Sequence, residues 1–453
     1  MGGLSRRGFL TGAATVAAGA LAARPDRAVA APGAFDGTIR VLGLGYDLDV
    51  PGIREQAQRD LGFEIVSISK FPTDIKRLVD QEPASFDLFS CFQQDTAEFW
   101  ATGNLQPVEI AKIQRWQSVT PLYKLGKAKP GTHSPYGQGD AAFRRLYVDP
   151  ERSGRWRSAQ GVAGSLGRLL VQWVDERSGK PVGPEPRFCS GVPSCFNFDS
   201  FAYNVSVFRR QPEALSWAEL LNARWRGRIG LNSVPEVGLQ DLGNAVRAAR
   251  LMKFGDLGNP TRKEIDRLVK ILLAYRARGQ FFDVWANPLH PVAWMANRDV
   301  VACTMYAAQI GSLAAIGAPI RQADPPEGYR AFAGLISISN EVRDPAKLAA
   351  CYDFLNWWHS GFTGATLLRW GYYSAVQATA RKHMEPGEYA YWIDGKPAER
   401  TYKGPYGDTS VAKDRVRDGG SFRSRASRIS SWNSTPRQED YLLERWQQFV
   451  SSF

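Results

Sequence analysis

Cysteine and histidine are scarce: 453 residues contain five of one and four of the other. Five cysteines are too few to hold a chain of this length together by disulfides. A metal enzyme needs several His, Cys or carboxylate ligands converging, often two on one helical face. His133, His290, His359 and His383 stand singly with no partner at such spacing, so no metal ligand is assigned. The nearest approach to a nucleophile elbow, "AGSLG" around Ser165, lacks the first glycine, and no Walker sequence occurs. "VLGLGYDL" has Gly43 and Gly45 but Leu48 where a dinucleotide loop wants its third glycine, so it reads as a tight turn after a strand. The sequence therefore predicts no catalytic residue and no cofactor. Beyond the first thirty residues no apolar run approaches the roughly 18 residues a transmembrane helix needs.

The N-terminal stretch reads as a leader. Arg6 and Arg7 sit between Ser5 and the apolar pair Phe9 and Leu10, and the run "TGAATVAAGALAA" is too short to span a bilayer. Ala28, Val29 and Ala30 follow as a small-residue site. The order predicts a twin-arginine export signal over residues 1–30, cleaved after Ala30, and a periplasmic passenger that meets the twin-arginine machinery already folded. The net charge of +12 is mixed in sign, and an exported protein has no nucleic-acid partner. The length predicts two or more lobes. Cys189 and Cys195 in "FCSGVPSC" either bridge across a small loop or stay as two buried thiols, while Cys91, Cys303 and Cys351 read as small core residues.

Strands and helices alternate from Thr38 onward: "TIRVL", "FEIVSI" and "FDLFSC" are strand-like, with helical segments between them, which predicts a parallel α/β sheet. Capping boxes are expected at Ser216 with Glu219 and at Thr261 with Glu264. Asp344 before Pro345, and Thr435 before Pro436, predict two more helix starts. Residues 124–192 and 395–428 are Gly-, Pro- and Arg-rich and read as surface insertions, the first with a possible docking role through its basic stretch from Arg144 to Arg187.

The ordered set "TIRVLGLGYDLDVPGIREQAQRDLGFEIV", "FDLFSCFQQDTAEFWATGNLQPVE", "SWAELLNARWRGRIGL", "VVACTMYAAQIGSLAAIGAPI" and "RWGYYSAV" resembles the periplasmic spermidine/putrescine-binding proteins of ABC transporters, over nearly all of residues 37–380. The resemblance implies an α/β, two-lobed periplasmic-binding-protein fold (type II) with a hinge of two crossover strands. It places lobe 1 at 31–200 with 307–371, lobe 2 at 201–306, and a C-terminal extension at 372–453. The crossings fall near "FAYNVSVF" and "VVACTMY". It implies a solute-binding component of an ABC importer that captures a polyamine-like or other organic amine and delivers it to an inner-membrane permease. An exported enzyme with a dispersed active site, and a sensor or docking protein on the same fold, are the alternatives.

Carried over position by position, the ligand-binding residues are Tyr46, Asp47, Phe92, Gln93, Glu236, Trp285, Tyr306, Gln309, Tyr372 and Tyr373. Aromatic faces suit an alkyl amine and carboxylates pair its charged ends. Several of these have a second reading: Trp285, Tyr306 and Tyr372 as interlobe core aromatics, Glu236 as a helix cap, Asp47 as a turn stabiliser. Polyamine binders place an acid just after the aromatic of the second crossing, where this chain has Ala307, Ala308 and then Gln309. That departure implies a monocation, zwitterion or neutral solute rather than a polyamine dication.

Overall fold

The computed structural model describes residues 35, 37–45, 47–126, 137–150, 170–176, 178–208 and 215–453. The export signal called over residues 1–30 and the candidate Tyr46 lie outside them. The chain begins with β1 (Thr38–Gly43), β2 (Glu64–Ser69) and β3 (Leu88–Phe92), alternating with α1 (Ile53–Leu61) and α2 (Pro72–Gln81) and followed by α3 (Thr96–Thr102). β1 lies between β2 and β3 and parallel to both, the arrangement the alternation predicts. Gly62 ends α1 in the left-handed conformation and returns its N–H to the Gln58 carbonyl. Pro72 opens α2, where a missing N–H is harmless.

β4 (Val192–Asp199) is buried along its whole length and brings the chain to the first crossing. The second lobe then builds its own five-stranded sheet from β5 (Phe201–Asn204), β6 (Ile229–Asn232), β7 (Phe281–Trp285), β8 (Ala302–Thr304) and β9 (Ile320–Gln322), in the order β7-β6-β8-β5-β9. α4 (Pro235–Ala248) and α5 (Arg262–Ala277) cover it, and α6 (Ala307–Ala315) links β8 to β9. The capping box at Thr261 and Glu264 forms as expected, and Ile265, Leu268, Val269 and Leu272 enter the core. At Ser216 the expected box does not form. Ser216 starts a 3-10 turn and donates to Glu327, while Glu219 accepts from Asn222 and the Trp225 indole.

The chain returns to lobe 1 as β10 (Tyr329–Ser339), and α7 (Pro345–Trp358) and α8 (Phe362–Arg369) follow. Asp344 caps α7 by accepting from the N–H groups of Ala346 and Lys347. The large sheet runs β11-β4-β10-β3-β1-β2, with β11 (Tyr373–Ser374) on one edge. The return crossing therefore lies at residues 323–328, not at Val300–Tyr306. β8, α6 and β9 all precede it, and β9 pairs with β5 inside the second sheet. The C-terminal extension, expected to pack on the lobes, also contributes a strand to the large sheet. β12 (Tyr402–Lys403) and β13 (Thr409–Val411) form a small hairpin. β14 (Ile429–Trp432) then joins β10 in parallel within the large sheet. α9 (Glu439–Val450) crosses back and puts Leu442, Trp446 and Phe449 into the core of the second lobe. Thr435 and Pro436 do not start this helix, which begins three residues after Pro436, and among the described residues the Thr435 hydroxyl has no hydrogen-bond partner. Cys189 and Cys195 are both buried and unbridged: Cys189 sits on a separate three-stranded sheet with its thiol directed at the Val108 carbonyl, and Cys195 lies in β4.

The two crossings run side by side. Asp199 and Arg330 are register partners in the large sheet, and Ala202 and Gln322 are partners in the small one. Arg330 is fully buried there. Its Nε donates to Asp241 of α4 at 2.8 Å, its terminal nitrogens reach Asn433 at 3.2 Å and Asp199 at 3.5 Å, and the guanidinium faces the Tyr306 ring at 5.9 Å. One side chain thus joins both crossings, the second lobe's first long helix and the third passage at Asn433. Burial opposes the Arg330 charge, but Asp241 and Asp199 outweigh it and hold the guanidinium more firmly protonated. Replacing Arg330 by Met leaves the buried Asp241 without a counter-charge and Asp199 with only Arg425 nearby, and it is expected to cost about 3–5 kcal/mol of unfolding free energy. In a denaturant double-mutant cycle, adding Asp241→Asn is expected to cost much less than it does in the wild type.

Candidate functional site

The strand ends of the two lobes face each other around Arg330. From the second lobe, Tyr306 leaves β8 and begins α6. Its backbone N–H donates to Gln309 Oε1 at 2.8 Å and its hydroxyl accepts from Asn232 at 3.0 Å. Gln309 spends its amide N–H on the Pro288 carbonyl, so it acts as the cap of α6. Trp285 stands behind Tyr306, edge to face at 5.6 Å, with its indole N–H on the Thr304 carbonyl. It is 1 % exposed and belongs to the lobe's interior.

From lobe 1, an aromatic line runs from Phe92 to Phe332 (5.7 Å), Tyr372 (5.9 Å) and Trp370 (5.8 Å). Burial pushes the Tyr372 hydroxyl up, and the nearby Asp199 charge adds to it. Tyr373 points the other way, stacks on Phe196 and lies under the Arg417 guanidinium at 4.4 Å. Asp47 is buried and turns inward. It accepts from the Ser90 hydroxyl at 2.5 Å and from the Leu44 and Leu48 N–H groups, and burial raises its carboxyl pKa against those bonds. Gln93 is fully buried, donating to the Asp140 and Asn433 carbonyls and accepting from the Ala333 N–H. Phe92, Tyr306 and Tyr372 are thus brought to the lobe junction, while Asp47, Gln93, Gln309 and Trp285 are engaged in holding its walls.

Glu236, in the first turn of α4, belongs to a second polar group between the lobes. Lys76 of α2 pairs with Glu98 at 3.3 Å, Asp95 at 3.6 Å and Glu439 at 3.3 Å. Glu439 belongs to α9, so this lysine ties lobe 1 to the helix packed on lobe 2. Burial pushes the Asp95 carboxyl up to about 7 although Lys76 works against the shift, and Glu236 and Glu98 add to it. Close by, the two chains touch backbone to backbone. A Cβ on Gly258 would stand 2.1 Å from the Gly139 Cα, and the Gly139 N–H donates to Asp256 at 2.9 Å. Gly139 has φ +92°, so two glycines are required at this seam.

Open space lies on the other flank of the junction. A cavity of about 300 Å³ is bounded by one face of α6 with Ile310 and Ala314, by Trp370 and Gly371 of lobe 1, and by Tyr391 and Trp392 of the C-terminal extension. Arg415, Arg417, Asp418 and Arg425 close it. Both lobes and the extension therefore contribute walls. The residues that sequence reasoning missed are those with charge in unexpected places: Arg330 interrupts the apolar run "YRAFAGLISIS", a readable signal, whereas "RVRDGG" around Arg417 looks like an ordinary solvated stretch. Among the described residues no group of three His, Cys, Asp or Glu side chains is arranged to hold a metal ion, and no helix is long and apolar enough to cross a membrane.

The raised Asp95 pKa has a definite sign. The folded protein holds a proton on this carboxyl between about 4, its unfolded value, and about 7. Its contribution to stability is present in full below the unfolded pKa and is lost as pH rises through the folded one. Asp95→Asn is expected to match the wild type near pH 4 and to melt progressively higher than it up to pH 7, with a constant difference above. Melting curves of both proteins from pH 4 to 8 check this, and parallel curves would exclude it.

No family model matches the chain, and no curated protein matches it. Solved structures do. A spermidine/putrescine ABC-transporter substrate-binding protein from Streptococcus pneumoniae superposes with a TM-score of 0.56 at 11% identity, covering 92% of this chain and 99% of its own. An ABC-transporter substrate-binding protein from Bradyrhizobium japonicum gives 0.57 at 12% identity, covering 92% and 100%. A binding protein from Agrobacterium tumefaciens R10 in complex with agropinic acid gives 0.52 at 13% identity, covering 92% and 99%. The chain has the two-lobed fold of these substrate-binding proteins along nearly its whole length.

Proposed function

We propose that this protein is the solute-binding component of an ABC importer, and that it works by binding rather than by catalysis. A small organic solute is captured where the two lobes face each other and is delivered to an inner-membrane permease. The observation that carries this reading is the cavity beside the hinge, walled by α6 of one lobe and Trp370–Gly371 of the other. A solute that touches both walls stabilises the closed arrangement and shifts a population already present. Neighbours of the fold are described with spermidine/putrescine transport and with agropinic acid, small organic solutes in both cases. Tyr306, Tyr372 and Phe92 stand at the same junction and are proposed to shape its inner end.

The protein is proposed to act in the periplasm, reached by the twin-arginine route that Arg6 and Arg7 suggest. A thermal-shift screen of the protein against polyamines, amino acids, betaines, sugars and organic acids tests the binding role. A ligand at a hundredfold excess over its Kd stabilises the native state by about 2.7 kcal/mol. The expected result is a clear shift with one solute class, accompanied by a smaller radius of gyration in solution scattering. No shift with any class, for protein freed of carried-over solute by unfolding and refolding, would sink the reading. For the route, replacing Arg6 and Arg7 together by Lys is expected to retain the protein in the cytoplasm, as cell fractionation would show.

A further inference from the structure

The charges around the cavity are unbalanced. Three guanidiniums line it, Arg415, Arg417 and Arg425, against the single carboxylate of Asp418. That carboxylate is already engaged. Arg415 pairs with it at 3.3 Å, Arg321 approaches it at 3.7 Å and the Gln322 N–H donates to it. Arg425 is buried and held by neutral acceptors: the carbonyls of Phe198 and Asp418 and the side chain of Gln322. Among the described residues its Nε has no hydrogen-bond partner, and Asp199 and Asp418 supply opposite charge nearby.

Arg417 is the sharpest case. It is 7 % exposed, lies between the Tyr373 ring at 4.4 Å and the Trp392 ring at 4.8 Å, and donates to the Trp392 carbonyl. Among the described residues no carboxylate pairs with it. Burial and the neighbouring Arg425 both weigh against its charge. The Trp392 ring borders the same cavity, and its buried indole N–H has no acceptor among the described residues. A buried cation without a counter-ion is costly, and a cavity whose lining carries three guanidiniums against one carboxylate favours an anion.

We propose that this cavity takes a small organic carboxylate, its carboxylate group held by Arg417 and its carbon chain lying between Trp370 and the apolar face of α6. This rests on the solute-binding reading and narrows its cargo from a small organic solute to an acid, in place of the amine that the sequence resemblance implied. The planar guanidinium fork matches a carboxylate by two parallel N–H bonds. Ile310 and Ala314 on α6 offer no polar group to the rest of the molecule. A volume of about 300 Å³ suits a ligand at the small end of the usual range.

The test uses the protein after removal of carried-over solute, with succinate, glutarate and benzoate as carboxylate probes and putrescine and spermidine as amine probes. Calorimetry and thermal shift are expected to show binding of at least one carboxylate and of neither amine. Arg417→Gln is expected to weaken that binding by about tenfold to a hundredfold. The same variant without ligand is expected to melt no lower than the wild type, since it removes an unpaired buried charge. A purely structural arginine would instead lower the melting point and leave affinity unchanged, and that result overturns the assignment. If Arg417→Gln does not fold, Gly311→Phe serves. A Cβ at Gly311 meets nothing within 4 Å, so an aromatic ring there fills the cavity from α6 and is expected to abolish carboxylate binding with Arg417 intact. Binding of an amine probe and of no carboxylate overturns the carboxylate inference and leaves the solute-binding role standing. Failure of every solute class in the wider screen removes both.

Discussion

Arg330 sets the geometry on which the rest of the molecule depends. Two chain crossings, a helix of the second lobe and the start of the final passage meet at one buried guanidinium. A buried ion pair contributes less to net stability than its contacts suggest, because both charges leave water. Its effect is specificity of arrangement. The Asp241 bond reaches across the lobes and exists only when α4 lies close to β10, so the hinge has one favoured setting rather than a continuum. The place between carboxylates and an aromatic ring, which in a cation binder would welcome the cargo, is filled by the protein's own cation.

Polarity is therefore segregated around the junction. On one side three carboxylates, Asp95, Glu98 and Glu439, share Lys76, and the Glu236 charge acts on Asp95 beside them. On the other, arginines outnumber acids around an open cavity. The protein as a whole is basic, but this asymmetry is local and comes from the C-terminal extension, which supplies Arg415, Arg417 and Arg425. Loop chemistry added to a standing two-lobed frame alters what the junction recognises while the strands beneath keep their order.

Much of the frame was legible because it rests on local signals. The βαβ rhythm of residues 38–92, the Thr261 box and the Asp344 cap each follow from short-range periodicity or backbone hydrogen-bond accounting. The misplaced second crossing has a different origin. "VVACTMY" does form a strand, but whether a strand crosses or stays is decided by its partners. β8 and β9 both pair with β5, a long-range choice that no local pattern encodes. The Thr435–Pro436 signal failed for a related reason: that segment is occupied in crossing between lobes, and α9 starts only after it. Among the site candidates, aromatics such as Tyr306 and Tyr372 could be placed at strand ends, whereas the inward turn of Asp47 depends on Ser90, forty-three residues away in the chain. Arg417 was least legible of all, since a buried arginine and a solvated one are identical in sequence.

The third passage between the lobes bears on how the chain is made. Ile429 and Trp432 belong to the core of the first lobe, and Leu442, Trp446 and Phe449 to that of the second. Neither interior is finished until this last stretch has left the ribosome, so the lobes cannot mature one after the other as synthesis proceeds. Completion is simultaneous and late, and a prematurely terminated chain exposes apolar surface in both halves at once. Under the proposed route for folded cargo, such an architecture ties export competence to translation through Phe449.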